Sequence, residues 1–276
     1  MNFEKEIKIF RKSYLDEWDY TSKLYSELGY YKDFALNIPE GSRVLEIGCG
    51  SGYSTKEIAS RAKSLVAVDE NYYCLYKTGE LLKDRFECVR CIERGKTVVD
   101  NSKLSYRTEY DDVISGLKGR VKLIEGDILY DNNLERYLKS QDKFDVVTCW
   151  LMGGHGLVLN HEEQQKKGRD FRIRKPFMVL DYKFDVIMKI AKLAIEILED
   201  EGVYHIIDRF NLSSIDQFSE NEILDIFRAK VEPLGLKLIN GFELFKGKTR
   251  SRMAMVSGNN IEDMNEMGFL SMKFTK

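Results

Sequence analysis

The hydrophobic pattern of the chain alternates between short apolar runs and longer stretches with a helical period. Five apolar runs predict parallel strands, at 43–47, 62–68, 121–124, 143–150 and 203–207. Such runs are continuous because a strand buried on both faces carries apolar residues throughout. Helical stretches predict helices over most of 1–40 and at 54–61, 184–198 and 221–231. A closing hairpin is predicted from 236–245 and 252–256. Strands that alternate with helices indicate an α/β fold.

The first strand ends in a loop rich in glycine. Gly48, Gly50 and Gly52 can adopt backbone angles closed to other residues, and they put no Cβ in the way of a ligand. The N–H groups of the following helix would point at whatever lies over this loop. The next strand ends at Asp69, whose carboxylate can accept hydrogen bonds from both hydroxyls of a ribose, at about the 20-residue spacing of nucleoside-binding units. The pattern therefore predicts a nucleoside site at the carboxyl ends of the strands.

An acidic residue, Glu46, precedes the glycines and narrows the choice of nucleoside. It would repel a pyrophosphate, but it suits a cationic amino-acid group, which indicates S-adenosylmethionine rather than a dinucleotide. The sequence Glu46-Ile-Gly-Cys-Gly-Ser-Gly52 resembles the first motif of the Rossmann-like, class I S-adenosylmethionine-dependent methyltransferases, without a gap. Two further stretches match that family in order, Glu125-Gly-Asp-Ile128 after the third strand and the fourth strand, which ends at Trp150.

The resemblance covers roughly 40–257. It implies a seven-stranded, mostly parallel sheet with helices on both faces and one antiparallel strand in the C-terminal hairpin. It also implies that Asp127 meets the adenine amino group, that Ile128 packs on the ring, and that Trp150 lines the methyl-donor cleft. The full set of expected cofactor-binding residues is Glu46, Gly48, Cys49, Gly50, Gly52, Asp69, Glu70, Asp127, Ile128 and Trp150. The expected product is S-adenosyl-L-homocysteine.

The predicted domain spans 41–257, preceded by a helical extension at 1–40 and followed by a tail at 258–276. The aromatic residues of the extension fit either core packing or a lid over the cofactor. Insertions are predicted at about 84–119 and 151–181, where the polar segments exceed ordinary connections. The first contains Cys88 and Cys91, which are ordinary cysteines or half of a zinc site; a zinc ion needs about four ligands, so no metal is predicted.

Two histidines of the second insertion are the candidate catalytic residues. His155 follows Gly153-Gly154 soon after the fourth strand, and His161 lies slightly further on. Imidazole titrates near neutral pH and can remove a proton from a methyl acceptor. The alternative is that His155 only hydrogen-bonds the loop or contacts the cofactor. The basic residues that follow, within 166–175, are either a solvated loop or a clamp for a carboxylate or phosphate on the acceptor.

Composition limits the partners. The 276 residues have a formal net charge of −2, so neither nucleic acid nor a membrane surface is an expected partner. No segment is long and apolar enough to span a bilayer, and the acidic N-terminus does not read as a signal peptide. Five scattered cysteines fit a reducing cytoplasm. We expect a cytoplasmic monomer or homodimer.

The predicted reaction is methyl transfer to a small molecule, reached chiefly by elimination. The fourth strand is not followed by the Asn/Asp-Pro-Pro-aromatic motif of amino-methylating DNA enzymes, and no Pro-Cys pair exists for a cytosine-5 enzyme. The paired glutamates of protein arginine methyltransferases are also missing, because Glu162 and Glu163 are adjacent. Three alternatives stay open: methylation of a protein side chain or tRNA, binding of the cofactor without catalysis, and aminopropyl transfer from the decarboxylated cofactor.

Overall fold

The computed structural model describes residues 3–153, 156–169, 177–211, 220–239, 243–247 and 267–276. Its strands are β1 (Arg43–Ile47), β2 (Ser64–Asp69), β3 (Cys88–Cys91), β4 (Gly95–Asp100), β5 (Ser105–Tyr110), β6 (Val121–Glu125), β7 (Phe144–Trp150), β8 (Leu198–Asn211), β9 (Lys237–Leu238), β10 (Glu243–Gly247) and β11 (Met267–Thr275). Its helices are α1 (Phe3–Glu27), α2 (Tyr30–Ala35), α3 (Tyr53–Arg61), α4 (Tyr72–Leu82), α5 (Asn132–Ser140), α6 (Glu162–Lys166), α7 (Phe177–Ile197) and α8 (Glu220–Val231), with 3₁₀ turns at Gly156–Asn160 and Glu232–Leu234.

Within the described ranges, nine strands form one sheet in the order β10-β11-β8-β7-β1-β2-β6-β3, with the short β9 paired to β11. The neighbours from β8 to β3 are parallel, whereas β11 runs antiparallel to both β8 and β10. The predicted α/β fold with a mostly parallel Rossmann-like sheet and one antiparallel strand is confirmed. Six of the seven predicted strands coincide with described strands, and the predicted 236–245 contains β9 and part of β10. Strand β3 at one edge and strand β11 were not predicted.

Both faces of the sheet are covered, which explains why its strands read as continuous apolar runs. Along β1, Val44 packs into the core beneath α1–α4, whereas Leu45 packs into the core beneath α7. The same alternation separates Val146 from Val147 on β7. All four of these side chains are almost fully buried.

The C-terminal residues correct the sequence prediction. Among the described residues, β10 pairs with β11; the predicted strand 252–256 lies outside them. The predicted tail at 258–276 therefore contains a sheet strand, which pairs with β8 from Met267↔Asn211 to Thr275↔Val203. Its alternate residues enter opposite cores, because Phe269 packs beneath α1 and α2 whereas Leu270 packs beneath α7.

The first insertion is ordered. Strand β3 extends the sheet edge, and β4 and β5 form a separate hairpin. A buried ion pair ties the start of this hairpin to the main domain, because Arg94 Nη1 lies 2.6 Å from Asp131 Oδ2. Cys88 and Cys91 pack into cores on opposite faces of the sheet, so they cannot share one metal ion in this fold. In the described part of the chain, no cluster of three or more His, Cys, Asp or Glu side chains could hold a metal.

Helix α1 lies across the domain and is supported by both insertions. Phe3 and Ile7 form a small apolar cluster with Tyr106 of the hairpin and Leu157 of the 3₁₀ turn. Further along α1, Trp18 and Tyr25 join the main core. Among the described helices, none combines the length and the apolar character that crossing a bilayer requires.

Candidate functional site

A cleft of about 690 Å³, its open mouth included, lies at the carboxyl ends of β1, β2, β6 and β7. This is the edge where open α/β sheets bind ligands. Helix α1 and helix α7 complete its walls. The lining residues are Tyr14, Trp18, Ile47, Gly48, Gly50, Val68, Asp69, Glu70, Asn71, Gly126, Asp127, Ile128, Leu151, Met152, Gly153, Tyr182 and Val186.

The glycine loop allows two close approaches. Gly50 has φ +54°, and a Cβ there would lie 2.5 Å from Nε1 of Trp18, so the loop backbone passes directly under α1. Gly52 has φ +87°, and a Cβ there would lie 2.8 Å from the Cα of Thr78 on α4. Gly50 therefore leaves room for Trp18 of α1 at the cleft, whereas Gly52 lets α3 begin against α4.

Asp69 lies at the end of β2 and organises the loop. Its Oδ2 accepts the N–H of Gly50 at 2.9 Å, and its Oδ1 accepts the N–H of Asn71 at 2.9 Å. Burial raises the pKa of Asp69 to about 7, although the two N–H groups act in the opposite direction. Each carboxylate oxygen keeps a second lone pair, so the group can still accept hydrogen bonds from a diol.

The two residues predicted to contact the adenine, Asp127 and Ile128, both line the cleft. Asp127 follows β6, lines the cleft, and accepts the N–H of Leu129 at 2.8 Å. Burial, and after it the nearby Glu70, raise the pKa of Asp127 to about 8. Ile128 offers an apolar side chain beside it, and Glu70 lines the cleft between Asp69 and Asn71.

Glu46 lies beneath the loop and not on the cleft wall. It is 1% exposed, and its Oε1 accepts the hydroxyl of Ser54 at 2.6 Å, whereas Oε2 has no partner among the described residues. Burial raises the pKa of Glu46 to about 7. The hydroxyls of Ser54 and Thr55 act against this rise, so the carboxyl group of Glu46 is held within the protein beneath the loop. Cys49 is likewise buried, with its Sγ 3.8 Å from the hydroxyl of Thr78.

Trp150 corrects the prediction that it lines the cleft. The side chain is buried in the core with its ring 5.9 Å from that of Phe34, and its Nε1 donates to Nδ1 of His205 at 3.3 Å. The physical reason is the face on which it lies: Trp150 shares the α2 side of β7 with Val146. The cleft wall is instead formed by the next residues, Leu151 and Met152.

The two candidate histidines differ in outcome. His155 lies outside the described residues, so its role stays a prediction. His161 is 5% exposed, does not line the cleft, and stacks on Tyr130 with ring centroids 3.9 Å apart. Its Nδ1 accepts the N–H of Glu163 at 3.3 Å and caps α6. Burial lowers the pKa of His161 to about 4. The capping bond and the position off the cleft wall give this side chain a structural contact and no contact with the cleft.

Several cleft residues were not singled out from the sequence. Tyr182 and Val186 come from α7, and Asn71 caps α4 while its Nδ2 donates to the carbonyl of Arg11 at 2.8 Å. Their helical positions resemble ordinary core positions, so periodicity gave no signal. Tyr14 and Trp18 belong to the aromatic group for which a lid was one interpretation, and both line the cleft.

A family model described as a methyltransferase domain matches residues 20–161. A search of curated protein sequences gives no match. Solved structures with a similar fold include a putative methyltransferase from Bacillus halodurans, with 13% identity, a TM-score of 0.48, and coverage of 91% of this chain and 99% of that one. A TehB-like S-adenosylmethionine-dependent methyltransferase from Corynebacterium glutamicum is 14% identical, with a TM-score of 0.46 and coverage of 98% and 99%. The N-methyltransferase NodS from Bradyrhizobium japonicum, in complex with S-adenosyl-l-homocysteine, is 12% identical, with a TM-score of 0.45 and coverage of 90% and 84%.

Proposed function

Since the chain belongs to the family of S-adenosylmethionine-dependent methyltransferases, we propose that it methylates a small molecule enclosed beneath α1. The observation that carries this proposal is the contact of α1 with the cleft. Trp18 approaches Gly50 on one wall, and the hydroxyl of Tyr14 approaches Gly153 on the other. An acceptor in such a site must fit between a helix and the end of a sheet, which suits a small molecule better than a folded macromolecule.

The residues of the cleft fit the cofactor. Asp127 and Ile128 would hold the adenine, Asp69 the ribose, and the backbone from Gly48 to Gly50 the amino-acid part. Glu46, beneath the loop, would act on a positively charged ligand group through its charge and not through a direct contact. The cofactor itself supplies an activated methyl group. The chain would bind and orient the two reactants and exclude water from them.

We keep His155 as the proposed general base. Its support is positional, because β7 ends at Trp150 and the following Leu151, Met152 and Gly153 line the cleft. A base two residues beyond that wall would lie at the rim where the acceptor enters. We further propose a cytoplasmic monomer or homodimer, supported for the location by five cysteines that are all unpaired.

The experiment is methyl transfer from cofactor labelled in its methyl group. The purified protein is incubated with a low-mass metabolite extract and, separately, with the protein and RNA fractions of the same lysate. We expect label in a small molecule, identified by mass spectrometry as one added methyl group. The control is Asp127→Ala, which should lose transfer in every fraction. Label that enters only the protein or RNA fraction would contradict a small-molecule acceptor, while leaving the methyltransferase assignment intact.

A further inference from the structure

Arg209 lies on β8, two residues past Ile207, which pairs with the last residue of β7. The last hydrogen bond between β8 and the segment after β7 joins the N–H of Leu151 to the carbonyl of Ile207 at 2.7 Å. Arg209 follows two residues later on the same face of β8, opposite Phe269 of β11. Arg209 does not itself line the cleft, but Trp18, on which its guanidinium stacks, and the nearby Tyr14 both do.

The guanidinium of Arg209 packs against the lid. Its central carbon lies 5.2 Å from the ring of Trp18, and Nη1 donates to the hydroxyl of Tyr25 at 3.4 Å. Trp18 lines the cleft, so the guanidinium lies one aromatic ring away from the glycine loop. Stacking on an aromatic face holds the planar group in place and leaves its edge, with the N–H donors, open to a ligand.

Arg209 has no carboxylate partner within the part of the chain that the structure describes. The adjacent Asp208 points to the other face of the sheet, where it pairs with Lys183 of α7. From Arg209 it accepts the backbone N–H, at 2.7 Å, and no side-chain N–H. A guanidinium carries five N–H donors, and one long hydrogen bond to a neutral hydroxyl uses a single one of them. A half-buried arginine with spare donors is well suited to a bidentate anion.

The acidic groups of the cleft lie at the nucleoside end, which Asp69, Glu70 and Asp127 line. They would repel a carboxylate there, although the buried Arg11 offsets part of their charge. Arg209 would attract a carboxylate at the opposite end. The cleft wall next to Arg209 is otherwise aromatic and apolar, formed by Tyr14, Trp18 and Met152 among others.

We propose that Arg209 binds a carboxylate group in the closed cleft. The inference rests on the proposed function, because it assumes a cofactor and an acceptor in this cleft. The same chemistry has two sources, the carboxylate of an acidic acceptor or the carboxylate at the amino-acid end of the cofactor. Either source places a negative group against the edge of the guanidinium while Trp18 covers its face.

The first arm of the experiment tests the cofactor as the source. Calorimetry compares S-adenosylhomocysteine with its decarboxylated analogue on the full chain and on Arg209→Gln and Arg209→Lys. If the cofactor is the source, Arg209→Gln weakens binding of S-adenosylhomocysteine at least tenfold and leaves binding of the analogue unchanged. Arg209→Lys, which keeps the positive charge, retains part of the preference for S-adenosylhomocysteine over the analogue. The matched control is Arg90→Gln, which removes an arginine stacked on Tyr76 away from the cleft and should change neither affinity.

The second arm tests the acceptor as the source. Benzoate and benzamide, a matched acid and neutral amide, are titrated into protein saturated with S-adenosylhomocysteine, with tryptophan fluorescence as the readout because Trp18 lies on the guanidinium. An acidic acceptor site prefers benzoate at least tenfold, and Arg209→Gln removes that preference. The proposal is overturned if Arg209→Gln changes neither the preference for S-adenosylhomocysteine over its decarboxylated analogue nor the preference for benzoate over benzamide. Failure of the unaltered chain to bind S-adenosylhomocysteine at all would instead contradict the proposed function.

Discussion

At the residue scale, the cleft depends on carboxyl groups that are buried before any ligand arrives. Asp69 and Asp127 line the cleft, and Glu46 lies beneath its floor. Burial raises the pKa of all three carboxyl groups to near or above neutrality. Asp69 and Asp127 keep acceptor capacity for a ligand, whereas Glu46 is bonded by Ser54 away from the cleft. The cleft wall therefore offers two acceptor groups to the donors of a ligand.

The two histidines after β7 give a matched pair of variants. We expect His155→Ala to lower turnover by about 10²- to 10⁴-fold, the usual effect of removing a general base, and to leave cofactor affinity unchanged. We expect His161→Ala to keep turnover nearly intact and to cost about 1 kcal/mol of stability through loss of the α6 cap. Steady-state kinetics and chemical denaturation of both variants make the measurement.

Full turnover of His155→Ala on the identified acceptor across the neutral range would show that His155 is not the general base. Proximity and orientation of the reactants would then have to carry the reaction. A strong loss of turnover in His161→Ala, with stability unchanged, would contradict the structural role given to His161.

Residue-scale contacts also show where the sequence was informative. The loop from Gly48 to Gly52 and the positions Asp69 and Asp127 could be predicted because strand, loop and acid are contiguous in the chain. Arg209 could not, because its position depends on β8 extending past β7 and on a helix that begins about 200 residues earlier. Trp150 was misplaced because a strand buried on both faces gives no sign of which face a side chain takes.

At the element scale, α1 is the helix that contributes Tyr14 and Trp18 to the cleft wall. Helices α1 and α2 occupy most of 1–40. Support for α1 comes from the hairpin β4–β5 and the 3₁₀ turn, which were predicted only as long polar insertions. The strand β11 was missed for a similar reason: its partner β8 is more than 50 residues away, and pairing over that separation leaves no local pattern.

We expect hydrogen exchange of α1 to slow when S-adenosylhomocysteine binds, because Tyr14 and Trp18 contact the walls of the filled cleft. The change should extend to the segment after β7, including the 3₁₀ turn and α6. Helix α5, which packs against α7 away from the cleft, serves as the internal control and should not change. Unchanged exchange in α1 at demonstrated saturation would contradict its role as a lid.

At the scale of the whole molecule, the buried carboxyl groups link stability to pH. The pKa values of Glu46 and Asp69 are raised to about 7 and that of Asp127 to about 8, above their values in the unfolded chain. Their contribution to stability is therefore present at low pH and is lost as pH rises through those values. The lowered pKa values of His161 and His205 act oppositely, but only below about 6.5.

We therefore expect the free energy of unfolding of the ligand-free protein to fall between pH 6.5 and 8, where the three carboxyl groups outweigh His161 and His205. The slope should be roughly 1 kcal/mol per pH unit for each carboxyl group that titrates. Denaturant titrations at several pH values measure it. Asp127→Asn should flatten the slope, whereas Asp200→Asn, at an exposed site, should not. A stability that rises over this range would show that the buried carboxyl groups are already ionised.

The central claim is that the cleft binds S-adenosylmethionine, and calorimetric titration with its product tests it most directly. S-adenosylhomocysteine and NAD are titrated separately into the full chain and into Asp69→Ala, with Asp200→Ala as the control at an exposed carboxylate. We predict micromolar binding of S-adenosylhomocysteine and none of NAD. Asp69→Ala should weaken that binding by about 1.5–3 kcal/mol, the cost of lost hydrogen bonds to a charged group, and the control should leave it unchanged. Binding of NAD without binding of S-adenosylhomocysteine would contradict the account.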